Sequence, residues 1–242
     1  MDLGISGRVA LVTAASKGLG RASAEALAAD GAKVVICARG AEALEATASS
    51  IREAGGEVLA IQADVTEPDQ PARLVAATIE AYGQLDILVG NAGGPPPASA
   101  LDVDDAGLDA ALNANLKTSI RLAQEAVPHM RASGWGRICF ITSVSVRQPL
   151  GGLALSNVAR TGLWAWAKTL SQDLKDTGIT VNLACPGSHA TDRVKHLGFG
   201  PEVRLGDPGD FGKVVAFLCS EPATFVSGIA LGVDGAAVAG LL

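Results

Sequence analysis

Arg8-Val-Ala-Leu-Val-Thr-Ala-Ala-Ser-Lys-Gly-Leu-Gly20 is the stretch whose reading decides the fold of this chain. Its apolar run, Val9 to Val12, breaks into small residues and a Gly-Leu-Gly, and an Ala-rich helical pattern follows from Arg21 to Asp30. Strand, glycine turn and helix in that order aim a helix N-terminus, with its free N–H groups and positive dipole end, at an anion. Gly18 and Gly20 leave room for a pyrophosphate to approach the backbone, because glycine alone carries no Cβ and tolerates every backbone angle such a turn requires.

Outward from that turn, short apolar runs alternate with helical patterns. The runs are 9–13, 33–38, 57–63, 86–90, 137–142, 180–184 and 229–233, and the helical stretches lie near 19–30, 41–54, 68–82, 105–132, 156–176 and 207–219. Val34-Val-Ile36 and Ile87-Leu-Val89 are continuously apolar, as strands buried on both faces are. Alternation of this kind predicts a single α/β domain, doubly wound, with about seven parallel strands and helices on both faces of the sheet. Glycines at 31, 55–56, 83 and 178 stand between a helix and the next strand, where a left-handed cap ends a helix.

Composition narrows the partners. A net charge of −6 over 242 residues argues against nucleic acid, whose phosphates need a basic face. No apolar run is long enough to span a membrane, and Met1-Asp-Leu-Gly4 lacks the basic start of a secretory signal. Cys37, Cys139, Cys185 and Cys219 show neither metal-ligand nor disulfide-framework spacing and read as buried, inert thiols. No metal site is expected, and the composition fits a reduced, cytoplasmic enzyme acting on a small molecule.

In a doubly wound sheet the ligand lies beyond the carboxyl ends of the strands, at the switch in strand order. Each run here ends in polar, glycine or proline residues: the glycine turn, Ala38-Arg39, Asp64-Val65, Asn91-Ala-Gly93, Ser143 with Ser145, and Pro186-Gly187. A long ligand lying across the sheet suits them all, and a dinucleotide is the economical choice.

On these residues the chain resembles the short-chain dehydrogenase/reductase family over essentially its whole length. Thr13-Ala-Ala-Ser-Lys-Gly-Leu-Gly20 is similar to the family's Thr-Gly-x-x-x-Gly-x-Gly turn, with Ala14 where the first glycine falls, which implies a backbone angle alanine tolerates. The resemblance implies a Rossmann fold and assigns the cofactor to Thr13, Ser16, Lys17, Gly18, Leu19, Gly20, Asp64, Val65, Asn91, Ala92, Gly93, Pro186, Gly187 and Thr191. Asn115, in Asn113-Ala-Asn-Leu116, falls at the family's helix asparagine, and Val233-Asp-Gly235 at the close of its last strand. A homo-oligomer, tetramer or dimer, is implied as well, with a substrate lid at 188–206 that is short here and includes Gly198-Phe-Gly-Pro201. One of Trp164 and Trp166 is expected in a subunit interface.

The second strand ends in Cys37-Ala-Arg39 with no carboxylate to accept from ribose hydroxyls. Arg39 and Lys17 suit a 2′-phosphate, by a forked contact and a point charge respectively, which points to NADP(H) over NAD(H).

The catalytic positions depart from the family. Ser143 stands where the family serine does, but Ser156 and Arg160 occupy the places of its Tyr-x-x-x-Lys pair. Spacing of i, i+4 keeps the two on one helix face while the chemistry changes. Tyr82, the sole tyrosine, reads as a packing residue. A serine hydroxyl is a far poorer acid than a phenol, whereas Arg160 offers fixed donors to ribose hydroxyls, where it joins the cofactor-binding set, or to a developing alkoxide. His189 is the one imidazole near the nicotinamide end, and it reads first as an exposed loop residue. His196 reads as surface and His129 as structural. Three functions remain open: an NADP(H)-dependent oxidoreductase on a carbonyl/alcohol pair with Asn115, Ser143, Ser156 and Arg160 as its catalytic set; an NADP(H)-binding sensor, scaffold or inactive subunit; and a lyase or isomerase.

Overall fold

The computed structural model describes residues 2–197 and 203–240. Seven parallel strands stand in the order β3-β2-β1-β4-β5-β6-β7: β1 Val9–Val12, β2 Lys33–Ala38, β3 Val58–Gln62, β4 Ile87–Gly90, β5 Gly136–Ile141, β6 Ile179–Pro186 and β7 Ala230–Val233. The chain runs β1 to β3 in one direction, then returns past β1 to lay down β4 onward. The switch point lies between β1 and β4, where Ala10 pairs with Ile87 and Val12 with Val89.

Alternation along each strand sends successive side chains to opposite faces. Ala10, Val12, Val34, Ile36, Val89 and Cys139 bury into one core layer. Leu11, Val35, Cys37, Leu88, Phe140 and Leu183 bury into the other. Helices α1 (Gly18–Ala29), α2 (Ala41–Glu53) and α3 (Gln70–Tyr82) follow the first three strands. After β4 come α4 (Asp105–Leu112) and α5 (Thr118–Ser133), then α6 (Ala154–Asp173), α7 (Asp192–Leu197) and α8 (Pro208–Leu218). Helices α1 and α8 cross closely: a Cβ on Gly212 would stand 2.3 Å from the Ala22 carbonyl oxygen.

Two expectations change. The single helix read over 105–132 is two helices joined by a π turn, Asn113–Lys117. The Thr118 hydroxyl donates to the carbonyls of Asn113 and Val65, and the Asn113 amide donates to the Thr66 carbonyl at 3.0 Å. These side-chain bonds compete with the regular helical ladder, and a widened turn results. The second change is at Ala14, whose φ is +48°. Alanine does not tolerate that angle freely, since Cβ crowds the following carbonyl there at a cost of about 1–2 kcal/mol.

Ala14→Gly is therefore expected to stabilise the fold. Relief of the strain exceeds the added unfolded-state entropy of glycine, about 0.5–1 kcal/mol, by up to about 1 kcal/mol. Urea unfolding should show a higher midpoint at unchanged slope.

Candidate active site

The cleft lies along the carboxyl ends of β1 to β6 as two cavities that share Ala14, Lys17, Ala92, Gly93 and Gly94. The first, of about 570 Å³, is bounded by Ser16, Arg39, Asp64, Val65 and Asn115. The second, of about 540 Å³, is bounded by Gly18, Leu19, Asn91, Ser143, Ser156, Arg160, Pro186, Gly187 and Thr191. The glycine turn thus sits in the middle of one long groove.

Helix α1 begins at this turn without a side-chain cap, its N-cap Lys17 in extended backbone. The first-turn N–H groups and the dipole end are left to an anion. Gly18 has φ +56°, and a Cβ on Gly20 would stand 2.5 Å from the Ala14 carbonyl oxygen and 2.6 Å from Asn91 Nδ2. Thr13 lies beneath the turn, not on the cavity: it is fully buried, donates to the Asn91 carbonyl at 2.7 Å and accepts from the Asn91 N–H at 2.8 Å. Its role is to fasten β1 to the end of β4.

In the first cavity, Asp64 accepts from the Thr66 N–H at 3.0 Å and hydroxyl at 2.8 Å. Burial pushes its carboxyl up, but these bonds and the Arg39 charge outweigh it and hold the group below its ordinary value. Arg39 is largely exposed, its Nη1 4.0 Å from Asp64, so its fork remains free for a ligand. Asn115 is buried in the π turn, which packs against α6 beside this cavity, and its Oδ1 has no partner.

In the second cavity, Ser143 caps the 3₁₀ turn Val144–Val146 and accepts from the Ser145 N–H at 3.1 Å. Ser156 and Arg160 project from one face of α6, both buried. Arg160 donates through Nη1 to the Ile141 carbonyl, at the end of β5, at 3.0 Å. Burial pushes its pKa down to about 10, the neighbouring Arg193 charge adding to the effect and Cys185 opposing it. It stays cationic at neutral pH, and among the described residues no carboxylate lies within ion-pair distance of it.

His189 is not an exposed loop residue. It is buried, donates through Nδ1 to the Gly187 carbonyl at 3.2 Å and packs edge-on against Phe211 at 5.2 Å. The loop's return past Gly206, whose N–H donates to Ser188 and whose carbonyl accepts from Ala190, encloses it. The Gly198–Pro201 part of the expected lid lies outside the described residues. His196 is exposed on α7 as expected; His129 is exposed on α5 and takes no part in the core. Both Trp164 and Trp166 lie half-buried against the core, the latter edge-on to Phe140. The four cysteines are buried and unpaired, and burial pushes Cys37 up to about 12 and Cys185 up to about 11, which makes poor nucleophiles of both.

Sequence reading missed Arg193. It comes from α7, lines the second cavity, and donates to the Pro95 carbonyl at 2.7 Å. Nothing in Thr191-Asp-Arg193 distinguishes it from a surface charge, because only the fold of the loop turns it inward.

A parallel sheet whose glycine turn meets an uncapped helix at the switch point has the architecture of the doubly wound α/β proteins. A family model described as short chain dehydrogenase matches residues 8–199, and the chain belongs to that family. It is 35% identical over 243 aligned positions to a 3-oxoacyl-[acyl-carrier-protein] reductase of Synechocystis sp., covering 97% of this chain and 98% of the relative. The structure of L-sorbose reductase from Gluconobacter frateurii, complexed with NADPH and L-sorbose, is similar with a TM-score of 0.90 at 33% identity, over 97% of this chain and 98% of that one. A 7α-hydroxysteroid dehydrogenase complexed with NADH and 7-oxo glycochenodeoxycholic acid superimposes with a TM-score of 0.93 at 30% identity, over 100% and 98% of the two chains. Among the described residues no helix is long and apolar enough to cross a membrane, and no cluster of metal-ligating side chains is present.

Proposed function

We propose that this protein is an NADP(H)-dependent oxidoreductase interconverting a carbonyl and an alcohol, with Asn115, Ser143, Ser156 and Arg160 as its catalytic set. The observation that carries it is the single groove joining the uncapped end of α1 to the Ser143–Ser156–Arg160 face. When bound, the reduced nicotinamide supplies the hydride. The α1 N–H groups hold the pyrophosphate, Lys17 and Arg39 the 2′-phosphate, Asp64 and Val65 the adenine, and Pro186, Gly187 and Thr191 the nicotinamide end. Ser143 and Ser156 orient the substrate oxygen. Arg160, with N–H groups left over from Ile141, binds the ribose hydroxyls or stabilises the alkoxide as it develops. The proton then comes from water held by the two hydroxyls, since neither serine matches a phenol as an acid. Asn115, whose buried Oδ1 has no partner, joins Ser143 and Ser156 in orienting the substrate oxygen and that water. A homo-oligomer, tetramer or dimer, belongs to the same reading, supported by Leu101 and Phe225, which are almost fully exposed. A cytoplasmic setting is supported by the four unpaired cysteines.

Arg39 supports the choice of NADP(H). Arg39→Asp is expected to lower the affinity for NADPH by about tenfold or more and raise that for NADH, the ratio a charge-assisted contact carries. Fluorescence titration of both cofactors measures it, and unchanged selectivity would remove Arg39 from the site.

The activity is tested by NADPH consumption on a panel of ketones, diketones and 3-oxo thioesters, run beside the Ser156→Tyr, Arg160→Lys double variant. Turnover by the native chain supports the reading. A silent native chain beside an active double variant favours the second reading, a cofactor-binding protein without hydride transfer. That reading is favoured by one observation: neither Ser156 nor Arg160 carries a readily transferred proton.

A further inference from the structure

Arg160 presents an unanswered charge. Its side chain is 92% buried (8% exposed) yet spends only one N–H on protein, and no carboxylate among the described residues is paired with it. Removing a guanidinium from water without a counter-ion costs several kcal/mol, so such a charge persists where an anion is to be met. Arg193 stands close enough to depress its proton affinity, and lies across the backbone of Gly94, at 3.0 Å from the position of an added Cβ. Among the described residues, Asp192 is the only carboxylate on the second cavity, exposed and paired with Lys195 at 3.5 Å.

The pyrophosphate does not supply the missing anion. It belongs to the turn after β1, whereas Arg160 is bonded to the end of β5, and β4 stands between them. Two strand spacings put these sites about 10 Å apart.

Resting on the oxidoreductase reading, we infer that the substrate is an oxoacid or the corresponding hydroxyacid, its carboxylate held by Arg193 and by the Arg160 N–H groups that the cofactor ribose leaves free, while its carbonyl faces Ser143 and Ser156. A carboxylate accepts bidentate bonds from guanidinium forks, and Arg160 and Arg193 both line this cavity. The cleft therefore selects a free acid over the ester or thioester of the same chain.

Calorimetric titration of the NADPH-saturated protein tests this, with acetoacetate and its longer straight-chain homologues as probes, each against its methyl ester. The acid is expected to bind about ten- to a hundredfold tighter than the ester, the ratio one charge-assisted contact confers. Arg160→Met and, independently, the half-exposed Arg193→Gln should each remove most of that preference, while Arg160→Lys keeps it. Equal binding of acid and ester, binding of neither, or a preference surviving both neutral variants overturns the inference. Selective binding without NADPH consumption leaves the anion site standing and sinks the oxidoreductase reading. Equal turnover of acid and ester does the reverse.

Discussion

Arg137→Ala is expected to lower the unfolding free energy by about 3–5 kcal/mol, the range for removing a large buried side chain together with the bonds it makes. Arg137 is 1% exposed, in the first half of β5 and far from the cleft. It donates through Nε to the Ser220 carbonyl, through Nη1 to those of Gly136 and Gly178, and through Nη2 to Glu221 and the Thr224 hydroxyl. One side chain thereby fastens the starts of β5 and β6 to the segment leaving α8. Its guanidinium also lies 4.2 Å from the Trp135 ring, against which Arg8 packs at 3.9 Å. Truncation opens a cavity and takes a donor from each of three carbonyls, those of Ser220, Gly136 and Gly178. Urea unfolding should show the loss as a lower midpoint. Arg137→Met, which fills most of the volume, should recover part of it, because replacing a buried ion with apolar volume costs less than deleting it. A loss under 1 kcal/mol would mean that water satisfies those carbonyls.

Gly20→Ala carries the largest expected effect on the site. The new methyl would lie 2.5 Å from the Ala14 carbonyl oxygen and 2.6 Å from Asn91 Nδ2, and both neighbours are backbone or firmly held. Overpacking of this kind costs about 1–3 kcal/mol. Relief requires the turn to lift away from the end of β4, which carries the first N–H groups of α1 off the phosphate position. A loss of NADPH affinity of about a hundredfold is expected, since charge-assisted contacts to a phosphate act together there. Gly93→Ala separates the two effects: nothing lies within 4 Å of its added Cβ, so it should unfold at the native urea concentration whatever it does to binding. Gly20→Ala binding NADPH as the native chain does would show that the turn is not the phosphate cradle.

Most of the fold was legible in the sequence. All seven strands were placed because each is a short apolar run with glycine, proline or a polar residue at its end, and a parallel strand buried on both faces leaves that trace. The cleft followed from the same pattern, since the rule that ligands sit beyond the strand ends needs only strand positions. What sequence reading misplaced was set by contacts between distant segments. The π turn at Asn113 depends on side chains reaching Val65 and Thr66. The left-handed angle at Ala14 depends on β1, β2 and β4 converging, with the Ala15 N–H donating to Cys37 and the Asn91 amide donating to Ala14.

The site divides along the same line. That Ser156 and Arg160 share a helix face is a property of four-residue spacing and stands in the sequence. That Arg160 is buried without a counter-ion, that His189 is enclosed against Phe211, and that Arg193 turns in toward Pro95 are properties of packing. Local propensity and periodicity act over a few residues and so write strands, turns and helices into the chain. The burial of a charge and the company it keeps are decided by segments tens of residues apart, and only the folded chain brings those together.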